Sequence, residues 1–210
     1  MIKKHWKLLI LTSIITLLPI LAGIILWEQL PQQLPIHWNT NGEADGWSSK
    51  SFAVFGLPPL LLFIQWIGVF AIVADPKKKN HSDKVLHLSF WIVPVLSMMS
   101  AATIYVTAIG KELMVGAIAP VFLGLLFVII GNYLPKCKQN YTIGIKIPWT
   151  LNSEENWNKT HRVAGWVFVI GGFVVIAAGF CKIGWLILPL VLLMVLVPLV
   201  YSFLLHRKGI

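Results

Sequence analysis

The chain has 210 residues, 57% of them hydrophobic and only 12% charged, with a net charge of +9 and a mean hydropathy of +0.79. A soluble domain carries about a quarter charged residues, so this composition excludes an ordinary soluble fold and predicts a membrane protein. The excess of positive charge is then a matter of topology and attraction to anionic lipid, and it does not point to direct nucleic-acid binding.

Six apolar runs approach the roughly 20 residues needed to cross the hydrocarbon core. They cover about 8–27, 52–73, 88–109, 114–134, 163–180 and 185–205, and none contains Asp, Glu, Lys, Arg or His. The expected fold is an all-α membrane protein, a single polytopic domain over 1–210 with six transmembrane helices. Lys3, Lys4 and Lys7 precede the first run, but Trp27, Glu28, Gln29 and Leu30 after it offer no small-residue cleavage site. The run therefore reads as a retained span and not as a secretory signal.

The loop 28–51 follows. It starts extended and carries two turn signals, Asn41-Gly42 and Asp45-Gly46, so a small hairpin lying on the headgroups is expected. Its tryptophans, Trp38 and Trp47, suit interfacial anchoring as well as recognition. The next loop is short and basic, with Lys77, Lys78, Lys79 and Lys84 beside His81 and His87. A tight turn that includes Lys111 leads to the fourth run.

The second long loop, 135–162, is polar, basic and longer than a connection between helices needs, which is the mark of a recognition surface. Pro148 pushes Ile147 into extended geometry. Asn152 reads as a helix N-cap with Glu155 reaching back three positions on, so the fifth helix is expected to begin well before the membrane. Trp157 and His161 then lie on one side of that helix, four residues apart, with Thr160 beside them. Most spans carry proline (Pro19, Pro58, Pro59, Pro94, Pro120, Pro189, Pro198), and the fifth carries Gly171 and Gly172. Such residues ordinarily serve kinking and close helix packing.

With the N-terminus inside, inner segments hold 14 of the 17 lysines and arginines, and the outer loops hold only Lys50, Lys111 and Lys182. The expected orientation is N-in and C-in. Cys137 then lies at the inner face and Cys181 at the outer one, too far apart across a bilayer about 30 Å thick to form a bridge. Each half has three spans with a long loop after its first. Trp38, Asn41 and Glu43 share an approximate spacing with Trp149, Asn152 and Glu155, a faint sign of an inverted repeat.

Proton-coupled transport usually relies on ionisable groups inside the spans, and these spans have none. The sequence also lacks a His-Glu-x-x-His pair, a Gly-x-Ser-x-Gly elbow and a phosphate-binding Gly-x-x-x-x-Gly-Lys, so no enzyme activity and no cofactor are expected. His37 near Glu43 and Asp45 reads as a set of solvated groups and not as a metal site.

Two sets of residues stand out, a widespread one at Pro35-Ile36-His37-Trp38, Gly42, Asp45-Gly46-Trp47 and Ser49-Lys50 in the first long loop, and a more specific one at Gly131-Asn132, Asn140, Gly144-Ile145, Pro148-Trp149-Thr150-Leu151, Ser153 and Trp157. In these the chain resembles the SdpI-type bacterial immunity and signalling membrane proteins over nearly its whole length. The resemblance implies a multi-pass protein of the bacterial cell membrane that protects the cell from a secreted membrane-active peptide toxin. It further implies that a cytoplasmic helix-turn-helix repressor can be held at the inner face. Candidate toxin-sensing residues are Pro35, His37, Trp38, Gly42, Asp45, Trp47 and Lys50. Candidate cytoplasmic contacts are Asn132, Asn140, Lys146, Pro148, Trp149, Thr150, Trp157 and His161. Family members usually carry Arg-Thr before Pro-Trp-Thr; Lys146-Ile147 stands there in this chain, keeping the charge but losing a planar fork. The alternative expectation is a small transporter or efflux component that exports an amphipathic peptide or small molecule.

Overall fold

A computed structural model describes residues 2–110 and 115–210. Lys111 and Met114, the start expected for the fourth span, lie outside the described residues. Six of the described helices are long and apolar enough to cross a membrane. They are α1 (Ile2–Ile25), α2 (Leu57–Ala74, entered through a π-helical turn at Phe52–Gly56), α3 (Asp83–Ala108), α4 (Val115–Tyr133), α6 (Glu154–Phe180) and α7 (Ile187–Arg207). The remaining elements belong to the two long loops: strands β1 (Gln33–Trp38) and β2 (Ala44–Ser49), and the short helix α5 (Pro148–Asn152). The chain is a helical, multi-pass membrane protein with a hairpin between its first two spans. Large apolar side chains such as Leu21, Phe63, Phe70, Ile170, Phe173 and Leu188 are exposed along the helices, as lipid-facing surfaces require.

The helices fall into two compact units, Met1–Val73 with Leu86–Val115, and Ala74–Val85 with Gly116–Ile210. In the first, the hairpin base is joined to helix ends by a core of Leu30, Leu34, Ala53, Val54, Ala101, Ile104 and Tyr105. Farther along the helices a neutral polar node replaces apolar packing. Gln65 Nε2 donates to Thr12 Oγ1 at 2.9 Å, Thr16 Oγ1 lies 2.9 Å from Gln65 Oε1, and Ser97 Oγ donates to the Thr16 carbonyl at 2.8 Å. Buried polar side chains that satisfy one another hold membrane helices together where apolar contact alone gives no preference over lipid. Attention to charged residues alone passes over this node, because every member is neutral.

In the second unit, α4 and α6 run antiparallel with small residues at matching heights. A Cβ built on Gly172 would stand 2.6 Å from the Gly124 carbonyl oxygen, and one on Gly131 would stand 2.8 Å from that of Gly165. At the next level a Cβ on Gly179 would stand 2.6 Å from Pro120 Cβ and 3.3 Å from the Ala117 carbonyl. The sequence reading expects close approach at Gly171 and Gly172, and both are buried in such contacts. Asn156 ties α6 to α7: its amide donates to the Ser202 carbonyl at 3.0 Å, and its oxygen accepts from the Ser202 and Thr160 hydroxyls at 2.5 and 3.1 Å.

Candidate functional site

Two folded loops carry the sequence-predicted residues. In the first, the strands pair antiparallel with Leu34 opposite Ser48, Pro35 opposite Trp47 and Trp38 opposite Ala44. The turn is closed by Asn39, whose side-chain oxygen accepts the Asn41 and Glu43 N–H groups at 2.9 and 3.0 Å, and Gly42 takes φ +82° within it. Asp45-Gly46 is not a second turn. Both residues lie inside β2, where Gly46 leaves room for His37, whose Cβ would be 2.8 Å from a Cβ at that position. His37 Nδ1 meets Asp45 Oδ1 at 2.5 Å on the exposed face.

Lys50 differs most from its sequence reading. It is buried, its ammonium donates to the Trp27 and Leu30 carbonyls at 3.0 Å each, and it sits 4.5 Å from the centre of the Trp27 ring. These carbonyls follow the end of α1, where a cation is favoured by the helix dipole. Of the seven hairpin candidates, His37, Asp45 and Trp47 are exposed, Trp38 and Gly42 are half-buried, and Pro35 and Lys50 are buried. The hairpin thus presents Trp47, 58% exposed, from a base that Lys50 holds.

The second loop has no regular structure from Cys137 to Ile147 and is built instead on side-chain hydrogen bonds. Asn140 folds it from within, accepting from the Thr142 and Ile143 N–H groups at 2.8 and 2.7 Å and donating to the Lys138 and Ile143 carbonyls. Beneath it, Trp157 and His161 stack with centroids 4.0 Å apart. The Trp157 indole donates to the Cys137 carbonyl at 2.7 Å. The Ile145 N–H donates to His161 Nε2 at 2.9 Å while Nδ1 lies 2.8 Å from the Trp157 carbonyl, an arrangement that fits only a neutral ring protonated at Nδ1. Gly144, at φ +122°, passes directly over this pair, where a Cβ would come within 3.0 Å of the Trp157 ring. Thr150 Oγ1 accepts the Ile147 N–H at 3.1 Å and so starts α5, and the extended Ile147 expected before Pro148 is present.

The helix start expected at Asn152 falls one residue later. Pro148–Asn152 forms its own helical turn, Ser153 is extended, and its hydroxyl accepts the Asn156 N–H at 3.1 Å to cap α6. Asn140, Thr150, Trp157 and His161 are therefore the interior of this loop. Lys146, Pro148 and Asn132 are exposed, and Asn132 belongs to α4. Trp149 is half-buried, stacked on His206 and tilted against Phe203. The tryptophans that share a faint spacing, Trp38 and Trp149, lie in a strand and in a helix respectively.

Sequence reasoning misses Asp75, Gln139 and His81. Asp75 and His81 have side-chain exposures of 0% and 1% and lie 3.2 Å apart. Burial pushes the Asp75 carboxyl up, but the Thr142 hydroxyl, the Lys77 and Tyr141 N–H groups and His81 outweigh it and hold the group below the ordinary 3.8. An aspartate heading a lysine-rich loop reads as a solvated charge, and only its position next to the apolar run of α2 sets it apart.

The architecture and its two built loops define a multi-pass helical membrane protein of the cell membrane whose polar features are loop surfaces. Residues 136–202 match the SdpI/YfhL protein family, and residues 14–62 match a domain of unknown function (DUF1648). The chain is 30% identical over 193 residues to the immunity protein SdpI of Bacillus subtilis (strain 168), covering 92% of this chain and 91% of that protein. It belongs to the SdpI/YfhL family, which is not an enzyme family. No solved structure matches it.

Proposed function

We propose that this protein confers immunity on the bacterial cell that makes it, protecting the membrane against a secreted membrane-active peptide toxin. The observation that carries this reading is the division of labour within the chain. The apolar runs lack Asp, Glu, Lys, Arg and His and are joined by neutral polar contacts such as the Gln65 node, while the two long loops form structured polar surfaces. That arrangement suits a binding and signalling protein better than a proton-coupled carrier. The hairpin, with Trp47, His37 and Asp45 exposed, faces outward and meets the toxin. The loop 135–162 faces the cytoplasm and offers Lys146, Pro148 and Trp149 to a helix-turn-helix repressor. The direct test is expression in a toxin-sensitive Gram-positive strain. A clear rise in the inhibitory toxin concentration supports immunity, and unchanged sensitivity at normal protein levels refutes it. Cell-associated toxin that falls only while the proton gradient is intact would instead identify a transporter.

The orientation has its own test in the two native cysteines. Cys181 is exposed, whereas Cys137 is buried and its thiol is pushed up to about 11 by that burial, leaving little reactive thiolate. A membrane-impermeant maleimide added to intact cells is expected to label the protein once, with the label lost in Cys181→Ser. Labelling of Cys181 only after the cells are broken would reverse the topology.

A further inference from the structure

Asp75 lies in the same compact unit as the loop 135–153 but outside both segments that match known families. Four donors converge on its carboxylate. The Tyr141 N–H and the Thr142 hydroxyl reach Oδ2 at 2.9 and 2.6 Å, His81 Nε2 lies 3.2 Å from the same oxygen, and the Lys77 N–H reaches Oδ1 at 2.7 Å. Two of these donors belong to the irregular loop and two to the loop 75–82. A second set of contacts crosses beside it. Asn80 Nδ2 donates to the Gln139 carbonyl at 2.7 Å, Lys77 Nζ donates to the Gln139 side chain, and the Gln139 amide donates to the Thr150 and Leu151 carbonyls at 2.8 and 2.9 Å.

The loop has no ladder of its own, so its position depends on what grips it from outside. Asn140 folds the loop locally but moves with it. His161 grips it through a neutral hydrogen bond to Ile145, and Trp157, Asn80 and the α5 carbonyls grip it through further neutral ones at Cys137 and Gln139. Asp75 grips it through an ionised acceptor, and hydrogen bonds to a charged group are roughly twice as strong as neutral ones. Removing that acceptor takes an ionised partner from the Tyr141 N–H and the Thr142 hydroxyl at once.

We infer that Asp75 is the positioning residue of the family-motif loop: it latches Tyr141 and Thr142 to the loop 75–82 and thereby fixes the surface on which Tyr141, Lys77 and Lys146 are displayed. Tyr141 is 48% exposed, and the Lys77 ammonium stands 5.5 Å from its ring centre, so the two loops form one basic, aromatic surface. The role of that surface as the output face rests on the function proposed above; the latch itself does not.

The test is hydrogen exchange of the full-length protein in nanodiscs, followed in peptides that cover 138–147. Asp75→Ala is expected to speed exchange at 141–145 at least tenfold, Asp75→Asn less because one carbonyl acceptor is kept, and Thr142→Val a few-fold, with the amides of α6 and α7 unchanged. A second readout separates a charged latch from simple packing. Among the described residues, the His81 ring and the Lys77 N–H face Asp75 from its own loop, and the Tyr141 N–H and the Thr142 hydroxyl face it from the motif loop. Because the folded carboxyl is held below 3.8, its contribution to stability is complete above that value and is lost as pH falls through the folded one. The difference in thermal midpoint between the wild type and Asp75→Asn that is present at about pH 5 should therefore close below about pH 4. Unchanged exchange at 141–145 in both Asp75→Ala and Thr142→Val overturns the inference, as does a midpoint difference that is independent of pH. If the Asp75 variants do not accumulate, Thr142→Val decides alone. A loosened loop with full toxin protection would leave the latch standing and remove the loop from the immunity reading.

Discussion

Gly172→Leu is expected to abolish accumulation of folded protein, and Gly172→Ala to lower thermal stability measurably, because the position faces backbone and a short β-branched side chain, neither of which can swing aside. The first atom added would lie 2.6 Å from the Gly124 carbonyl oxygen and 2.8 Å from a Val128 methyl. A carbonyl in the middle of a helix cannot turn aside, so α4 and α6 must separate and forfeit the contacts above and below. Overpacking a well-filled interior by a methyl group costs about 1–3 kcal/mol. A leucine asks for several times that displacement, and the lipid competes for the separated helices. Gly68 is the matched control: it lies within α2, and a Cβ there would meet nothing within 4 Å. Gly68→Ala should leave the unfolding midpoint unchanged or raise it, since glycine is a poor helix former. Equal midpoints for Gly172→Ala and Gly68→Ala would refute the close packing of α4 and α6.

The sequence marks Gly172 for close packing, but the partner helix follows only from a spacing that the reading of single residues passes over. Ala117, Gly124 and Gly131 are seven residues apart, and so are Gly165, Gly172 and Gly179. A seven-residue repeat of small residues on two helices that cross antiparallel is the pattern of a left-handed supercoiled pair. Span number and the hairpin follow from composition and turn chemistry, since hydropathy and an Asn-Gly step are local properties. The motif loop is different in kind. Its order comes from single hydrogen bonds between residues far apart in sequence, such as Asp75 with Tyr141 and His161 with Ile145, and no periodicity encodes them. A four-residue spacing puts Trp157 and His161 on one helix side, yet their burial under Gly144 depends on that long-range folding. Lys50 shows the same limit: a lysine after a hairpin reads as a surface charge until the end of α1 is seen beneath it.

Lys50→Met is expected to disorder the hairpin and remove toxin protection while leaving the spans in place. The methionine keeps most of the apolar stem but donates nothing, so the Trp27 and Leu30 carbonyls lose their buried partner at a cost of about 1–3 kcal/mol for each group left unsatisfied. The Trp27 ring loses its cation at the same time. A two-stranded hairpin has little stability of its own, and the loss at its base should propagate to the turn. Exchange of amides at 33–49 should rise about tenfold or more, in line with ~1.4 kcal/mol per decade. Trp47→Ala provides the opposite case. That side chain is 58% exposed, and surface substitutions of this kind usually shift stability by less than about 0.5 kcal/mol, so the hairpin should keep its exchange pattern. If the hairpin recognises the toxin, protection falls in both variants but for different reasons: in Lys50→Met because the platform is lost, in Trp47→Ala because the contact is lost from an intact platform. Full protection by Trp47→Ala at normal protein levels would take this tryptophan out of toxin recognition. Unchanged exchange in Lys50→Met would show that the buried ammonium does not hold the hairpin to α1.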